Sequence, residues 1–588
     1  MPWPIIIPRT HRHLLPALPA FLFLAFFFGV PVFEILRNSL QATPTTIGLD
    51  QFARLIANPV YVKVLGNTFL ISLLTALGSV LLGYPIAYFL SRLSDRSRSR
   101  WLIWLLIPFW TSYLVKTFAW ILVLSRTGVI GTTLIALGLT DNPPALSPSL
   151  LAVIIGMVHS LLPLAVMTML PIMQGIEHRL IQASETLGAS RTEAFFTVYL
   201  PLSMPGVAAA ALLVFITTLG FFIVPALLGT PRDTMIAQLV IASVLELFNM
   251  PFAGALSALL LGCSILVFLL YDRLVGLSTL GGDNATAPRS GARYMPLLMF
   301  ISRVLHQLGC AMRRLRPSAS RHQGGPFAGY RAASPGLRAY AWIVMALLFL
   351  PIAIVLPIAF TDSAFLSFPP QGFSLRWFGN FFFSTVWQTA LLRSLGVATV
   401  TAGIAVLLGF LAALGIRGMS PAAAKLGFSF LIAPLLIPRI VIAVGLFYLF
   451  AHLGLTGTDA GLVIGHTVLA IPYVVVTMAA ALKQYDWRLD HAASVLGASP
   501  LRRLTSVMIP VLRPSIIAAF LFAFLVSFDE LTIAIFVSGG LKTTLPKQMW
   551  DDMLMAANPT LAAVSFFLVA TIMLIVYLLS LSRRKEDH

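Results

Sequence analysis

Charged residues are scarce in this chain: Asp, Glu, Lys and Arg make up only 10% of its 588 residues, whereas 58% are hydrophobic. Soluble domains contain about a quarter charged residues, so the composition excludes a water-soluble globular protein. Cysteine is almost absent as well, since only Cys263 and Cys310 occur. With one in an apolar run and the other in a basic connector, they provide neither a disulfide framework nor a cysteine-based metal site.

Long apolar runs are what the chain has in quantity. A transmembrane helix needs about 20 mostly apolar residues, and twelve runs near that length predict an all-α protein embedded in the membrane throughout. The runs of the first half lie near residues 14–36, 65–90, 101–123, 149–173, 206–228 and 252–271. Those of the second half lie near residues 340–361, 391–414, 426–451, 461–482, 515–538 and 560–581.

The positions of the basic residues predict the orientation in the membrane. Lys and Arg outnumber Asp and Glu by 39 to 21. The connector after the second run, SRLSDRSRSR, contains four arginines, whereas the connector after the third run has no base beyond Arg126 at its edge. Because positively charged loops stay in the cytoplasm, and the same alternation continues along the chain, we expect both termini to be cytoplasmic.

Residues 273–338 contain ten arginines against one acid, Asp283, with Gly, Ser, Ala and Pro at both ends. This composition predicts a linker at 276–338 between a first transmembrane domain, 1–275, and a second, 339–588. Its middle, YMPLLMFISRVLHQLGCAMRRLRP, has the pattern of a basic amphipathic helix, which suits an anionic membrane lipid surface. Nucleic-acid binding is not expected, since no stacking aromatic residues are interleaved with the bases.

One segment of the chain is repeated. EHRLIQASETLGASRTEAFFTVYLPLSMPG begins at Glu177 and DWRLDHAASVLGASPLRRLTSVMIPVLRPS begins at Asp486, a shift of 309 residues (486 minus 177) without a gap. Each copy follows the fourth run of its half, which predicts parallel repeats with both copies on one membrane side. Each copy is interpreted as a short helix, a glycine stop at Gly188 or Gly497, and a second short helix. Pro201 is expected to fix the start of the next span.

The repeated segment resembles the EAA loop of ABC importer permeases, whose pattern is Glu-Ala-Ala, three residues, Gly, nine residues, Ile, one residue, Leu-Pro. Both copies keep this spacing, but neither has the leading Glu, although Asp490 is adjacent to the second copy's first position. The matching residues are Gln182, Ala183, Ser184, Gly188, Val198, Leu200 and Pro201, and then His491, Ala492, Ala493, Gly497, Val507, Ile509 and Pro510. In the family this loop is the coupling helix that docks on a separate ATPase, so the resemblance implies that role here.

The resemblance covers nearly the whole chain. Residues 108–120 and 220–240 are similar to one permease of spermidine/putrescine-type importers, and residues 522–539 and 543–553 to the other. This implies two MetI-like modules of six helices each, about 12 spans in all, fused end to end in a bacterial inner membrane. It also implies a periplasmic or extracellular solute-binding protein as a partner.

The chain contains no GxxxxGK[ST] phosphate-binding loop. We therefore expect it to bind no cofactor itself. ATP and Mg are expected on a cytoplasmic ABC ATPase homodimer, as the resemblance implies.

Ionisable residues inside the predicted spans are candidates for a substrate path, because a charge at mid-membrane costs about 2.5–3.5 kcal/mol. These residues are Lys116, Arg439, Asp529 and Glu530. Aromatic residues could assist by cation-π contact, the candidates being Trp110, Tyr113, Trp120, Phe221 and Phe222. Interhelical ion pairs that merely hold the bundle together are the alternative. The shift of 309 pairs Asp529 with Gly220 and Glu530 with Phe221, so the two halves differ here.

These features predict a permease subunit, not an enzyme, that moves a small solute into the cytoplasm. Similarity and the buried acids favour a polyamine. Fused permeases also serve ferric iron, thiamine and phosphonates, and the buried bases leave an anionic solute open. An ion-coupled secondary transporter would also use repeats and buried acids but would function without an ATPase. A membrane enzyme would need a cluster of catalytic groups, which the sequence does not show.

Overall fold

The computed structural model describes residues 15–43, 46–274, 334–540, 542–555 and 558–584, so nearly all of the predicted linker lies outside the described residues. The helices of the first half are α1 (Leu18–Ser39), α2 (Asp50–Ala57), α3 (Pro59–Ser91), α4 (Asp95–Trp110), α5 (Tyr113–Leu124), α6 (Val129–Ala136), α7 (Leu150–Gln174), α8 (His178–Thr186), α9 (Thr192–Leu219), α10 (Ile223–Leu228), α11 (Ile236–Leu245) and α12 (Met250–Leu274). Those of the second half are α13 (Pro335–Ile358), α14 (Arg376–Phe383), α15 (Thr385–Arg417), α16 (Pro421–Leu436), α17 (Arg439–Leu453), α18 (Asp459–Gln484), α19 (Trp487–Val495), α20 (Pro500–Phe528), α21 (Thr532–Val537), α22 (Leu545–Met555) and α23 (Pro559–Arg584). Two short antiparallel strands, β1 (Gln41–Thr43) and β2 (Thr46–Ile47), follow α1.

The predicted all-α membrane architecture is confirmed. In the described part of the chain, ten helices are long and apolar enough to cross a membrane, and the pair α16–α17, bent by 96°, adds an eleventh. The predicted run 560–581 falls on α23, Pro559–Arg584.

The two halves repeat each other helix by helix. The shift from α2 to α14 is 326 residues (376 minus 50), and the same shift relates α3 to α15, α4 to α16 and α5 to α17. From α7 and α18 onward the shift is 309 residues (459 minus 150). The first half therefore has 17 additional residues (326 minus 309) in the connector that contains α6. The repeat found in the sequence over one loop thus extends over most of each half.

The halves interlock through their first helices. In the first half α3 packs against α7 and α9, and in the second half α15 packs against α18 and α20. The helix α1, however, contacts α15 and α17 of the second half, and α13 contacts α3, α4 and α5 of the first. A Cβ atom on Gly415 would lie 2.6 Å from the Ala17 Cβ, which shows how closely α1 approaches α15. The two modules therefore form one bundle.

Four of the predicted spans are not continuous helices. The run 101–123 is interrupted between α4 and α5, and 426–451 between α16 and α17. The runs 206–228 and 515–538 contain the ends of α9 and α20, each followed by a short separate helix. Proline contributes to the second of these breaks, since Pro438 follows the extended residue Ile437 and disfavours a helical conformation there.

The two repeated loops lie on the same side of the bundle. At the end of α15, Arg417 lies over the Trp487 ring of the second loop at 3.4 Å, and α1 begins beside this same end of α15. Since α1 crosses the bundle and α3 returns, α3 also ends on this side. There the Ser91 hydroxyl bonds the Tyr199 hydroxyl at 3.0 Å, just beyond the first loop. Both loops can therefore meet a partner on one face.

Candidate functional site

A lysine side chain hydrogen-bonds the backbone at the interruption between α4 and α5. The Lys116 ammonium donates to the carbonyl oxygens of Pro108 and Phe109, at 3.1 and 3.4 Å, which are left without helical partners where α4 ends. It also lies 4.5 Å from the centre of the Tyr113 ring, and the residue is only 2% exposed. A positive charge at the carbonyl end of a helix is favourable, so Lys116 stabilises the end of α4.

A second interruption, between α20 and α21, contains the two acids. The Glu530 carboxylate accepts hydrogen bonds from the backbone N–H groups of Ile533 and Ala534, at 2.8 and 3.4 Å, and thereby caps the start of α21. Glu530 is 1% exposed. Its Oε2 atom lies 3.7 Å from the His466 Nε2 atom. Glu530 therefore faces away from any open path.

Asp529 takes the opposite orientation and joins the two halves. It is partly exposed, and its carboxylate lies near Ser112 and the backbone N–H of Tyr113, at the start of α5 in the first half. Lys116 and Arg439 are close enough to interact with its charge. An acid at a helix N-terminus is favourably placed. The helix break of one half therefore meets the helix break of the other at Asp529.

Aromatic and basic side chains surround this meeting point. The Tyr113 and Phe221 rings are 4.9 Å apart in an edge-to-face arrangement. Arg439, the first residue of α17, lies near Tyr473 and, like Tyr113 and Tyr473, is partly exposed. Together with Asp529, these residues form the central cluster, in which an acid and a base lie beside aromatic faces.

Each of the remaining predicted path residues contacts another ring, and they are Trp110, Trp120 and Phe222. Trp110 stacks on Phe522, with ring centres 5.3 Å apart. Among the intramembrane histidines, His159 Nε2 is 3.1 Å from the Leu348 carbonyl oxygen. The Phe522 and Leu348 contacts join helices of different halves, as expected for packing residues.

The position equivalent to Asp529 in the first half is held by glycine for steric reasons. Helices α9 and α20 end at Leu219 and Phe528, so the shift of 309 places Gly220 opposite Asp529. A Cβ atom on Gly220 would lie 2.7 Å from the Pro438 Cβ atom, and Pro438 is the residue equivalent to Ser112. The contact of Asp529 with the start of α5 is therefore polar, whereas the equivalent contact of Gly220 with Pro438 is a close apolar one.

Replacing Gly220 with Ala is expected to destabilise the protein by about 1–3 kcal/mol, since overpacking a close contact has a cost of that size. Thermal unfolding of the purified protein in detergent measures the effect. Gly403→Ala is the matched control, because a Cβ atom at Gly403 in α15 meets nothing within 4 Å. If both variants unfolded at the same temperature as the parent protein, the close contact at Gly220 would not exist.

The two repeated loops have nearly the same conformation. In each, a nine-residue helix, α8 or α19, ends at a glycine with positive φ, +94° at Gly188 and +81° at Gly497. The Ala189 N–H donates to the Ser184 carbonyl at 3.0 Å, and the Ala498 N–H donates to the Ala493 carbonyl at 3.0 Å. Glycine is favoured because a side chain strains this left-handed backbone. The predicted helix, glycine stop and second helix are found in both halves.

Both loops expose apolar side chains at equivalent positions. Leu187 is 89% exposed and Leu496 87% exposed, each directly before the glycine. Gln182, Ala183, His491 and Ala492 are also exposed, while Ser184 and Ala493 are partly exposed. Large apolar side chains exposed at two matched points are typical of a surface that another protein covers.

The acid beside the missing Glu forms a salt bridge in one loop only. In the second half Asp490 lies 3.0 Å from Arg503, which fixes α19 to the start of α20. The equivalent residues of the first half are Ile181 and Ala194, so the same junction is apolar there. The two loops thus have one backbone shape but different anchoring.

The prolines after the loops lie inside the next span and do not start it. Helix α9 begins at Thr192 and passes through a π-helical turn at Phe195–Tyr199 before Pro201. Helix α20 likewise contains a π-helical turn at Leu504–Met508 before Pro510. Wide turns of this kind are compatible with residues that cannot donate a backbone hydrogen bond. Pro201 and Pro510 therefore belong to the spans behind the exposed parts of the loops.

Tyr473 in the central cluster, and Ser112 beside Asp529, were not predicted from the sequence. Ser112 is uncharged and lies in an apolar run, and a single serine there does not indicate a site. Tyr473 has a signal, since it directly follows Pro472 in the middle of a predicted span. A tyrosine next to a proline in the middle of a span is a feature that could have indicated Tyr473 as a candidate path residue.

Comparison with known proteins identifies the repeated unit. Residues 13–278 and 405–586 match the family described as the binding-protein-dependent transport system inner membrane component. The spermidine/putrescine transport system permease protein PotB of Escherichia coli (strain K12) is 32% identical over 242 residues, which is 41% of this chain and 88% of PotB. The putrescine transport system permease protein PotI of the same organism is 32% identical over 208 residues, 34% of this chain and 74% of PotI.

Among solved structures, a bacterial alginate ABC transporter in complex with an alginate pentasaccharide-bound periplasmic protein aligns with a TM-score of 0.39 and 19% identity. The alignment covers 44% of this chain and 91% of that chain. The family matches in two segments, and each relative corresponds to less than half of this chain. The chain therefore contains two tandem copies of the unit.

Proposed function

This chain belongs to the family of binding-protein-dependent transport system inner membrane components, and on that premise we propose that it is a fused permease that moves a polyamine into the cytoplasm, powered by a separate ATPase. It is a multi-pass inner membrane permease of an ABC importer. The polyamine substrate, the ATPase homodimer with its ATP and Mg, and the solute-binding protein are the proposal.

The observation that carries the substrate class is the partly exposed Asp529 carboxylate where the helix breaks of the two halves meet. A carboxylate attracts an ammonium group, and the faces of Tyr113 and Phe221 beside it can stabilise the same cation through their π electrons. The similarity to PotB and PotI supports the same class. In this proposal the Asp529 carboxylate turns from the start of α5 to the substrate ammonium when the substrate binds.

The paired loops support the coupling role. They lie on one side of the bundle, expose Leu187 and Leu496, and are related by the repeat, as two equivalent ATPase subunits would require. In this proposal Gln182, Ala183 and Ser184, with His491, Ala492 and Ala493, contact the ATPase. Movement of the loops then passes into α9 and α20, which lead directly to the breaks at Gly220 and Asp529.

A second candidate substrate is an anion, such as a phosphonate. It is favoured by Arg439, which is partly exposed in the central cluster and could bind a phosphonate oxygen. Lys116 does not add to this case, because it is 2% exposed and bonded to backbone carbonyls. The central cluster therefore presents one accessible acid and one accessible base.

The proposal is tested by uptake into proteoliposomes that contain this chain, its ATPase and its solute-binding protein. We expect labelled putrescine or spermidine to accumulate only when ATP is present on the side of the membrane that carries the ATPase. Vanadate should stop this accumulation. Uptake of a phosphonate instead of a polyamine would establish the second candidate. Accumulation driven by an ion gradient without any ATPase would contradict the proposal altogether.

A further inference from the structure

A seam between the two halves lies on the loop side of the bundle, between α4 and α13. The two helices are in contact, with the ring centres of Trp101 and Trp342 4.8 Å apart and those of Trp104 and Phe349 5.2 Å apart. Arg98, near the start of α4, lies within 2.8 Å of the side-chain amide of Gln174 at the end of α7. Both helices therefore start at the level of the first coupling loop and run into the membrane together.

Each helix of this seam presents an arginine one turn before a tryptophan. Arg100 and Trp104 share one face of α4, and Arg338 and Trp342 share one face of α13, since residues four apart are neighbours on a helix. The tryptophans are 51% and 54% exposed, and both arginines are exposed. Each arginine lies about 6 Å nearer the aqueous side than its tryptophan. In a membrane, the lipid headgroup phosphates likewise lie nearer the water than the interfacial belt in which tryptophan is enriched.

The two arginines have no anionic partner in the described part of the chain. Arg100 and Arg338 form no ion pair there, and the nearby acid Asp95 is paired with Arg98. Since neither arginine has an acidic partner among the described residues, the seam can accept negative charge from another molecule.

The equivalent seam on the other side of the bundle, between α16 and α1, lacks this arrangement. The shift of 326 places Leu426 at the position of Arg100 and Phe430 at the position of Trp104. There Phe430 stacks on Phe21, with ring centres 5.9 Å apart. The combination of two arginines and two tryptophans therefore distinguishes one seam from its repeat.

We propose that the seam between α4 and α13 binds an anionic phospholipid from the leaflet on the coupling-loop side. Arg100 and Arg338 contact the headgroup phosphate oxygens, which the guanidinium geometry suits, and Trp104 and Trp342 lie at the interface below them. Only the name of that leaflet, cytoplasmic, rests on the proposed function. The lipid site itself does not depend on the transported solute.

Native mass spectrometry of the purified full chain tests this site by titration with phosphatidylglycerol. Each basic residue at an anionic surface contributes roughly fivefold in affinity, so Arg100→Gln with Arg338→Gln is expected to weaken binding by about 25-fold. Lys425→Gln, an exposed base beside Leu426 in the other seam, should leave it unchanged. Phosphatidylcholine should bind more weakly, and inorganic phosphate should not displace the lipid.

Each single arginine variant should weaken the binding by roughly fivefold, which keeps the test valid if the double variant folds poorly. Unchanged binding by correctly folded Arg100→Gln and Arg338→Gln would overturn the site. An equal loss in Lys425→Gln would overturn it too, because the attraction would then be a general effect of basic charge. Polyamine uptake is not part of this readout, so failure of the substrate proposal would leave its result unaffected.

Discussion

Replacement of Asp529 with Asn is expected to lower polyamine uptake by about 10- to 100-fold while the protein remains folded. The carboxylate is the one acid of the central cluster that is partly exposed, and hydrogen bonds to a charged group contribute about 1.5–3 kcal/mol. Asn keeps the size of the side chain and removes only its negative charge. Initial rates of labelled putrescine uptake in proteoliposomes measure the loss.

Glu530→Gln is the matched control for this prediction. Glu530 is buried and uses Oε2 to cap α21, and a glutamine oxygen can accept the same hydrogen bonds. We therefore expect Glu530→Gln to retain most of the uptake. If the two variants were equally impaired, or if Asp529→Asn transported like the parent protein, Asp529 would not contact the substrate.

Replacement of Leu187 or Leu496 with Asp is expected to reduce ATP-driven uptake by at least about 30-fold. Each leucine is almost fully exposed at the tip of a coupling loop. An apolar side chain central to an interface contributes about 2 kcal/mol or more to binding, and a buried carboxylate without a partner adds a further penalty. Uptake and the stimulation of the ATPase by the permease should fall together.

The conservative variants Leu187→Met and Leu496→Met serve as controls, because methionine fills a similar apolar volume. They should retain both uptake and ATPase stimulation. A result in which Leu187→Asp is harmless but Leu496→Asp is not would mean that only the loop with the Asp490–Arg503 bridge transmits movement. The symmetric coupling proposed above would then be wrong.

The repeat and the conformation of the two repeated loops could be predicted from the sequence because their signals are local. Gly188 and Gly497 occupy matching positions, and a glycine after a short helix indicates a left-handed backbone, which both adopt. The constant shift of 309 residues needed only the sequence of two loops. The family resemblance rested on the same residues and is confirmed by the two family matches.

The helix breaks could not be predicted, because apolar residues surround them. A hydropathy window joins α20 with α21 and α4 with α5, and it thus placed Asp529 on a continuous helix. The contact of Asp529 with Ser112 joins residues more than 400 positions apart, and no local pattern reports such a pairing. The role of Lys116 depends on backbone carbonyls that the break alone leaves without partners.

In the proposed mechanism, two loops of one chain couple a separate ATPase to the path between the halves. Cysteine cross-linking tests it most directly, with Leu187→Cys and Leu496→Cys introduced singly into a chain whose Cys263 and Cys310 have been replaced. We predict that each cysteine cross-links to an ATPase subunit, and that a chain with both captures two subunits. Labelling of either cysteine from the outer face of intact cells, or capture at one loop only, would contradict the account.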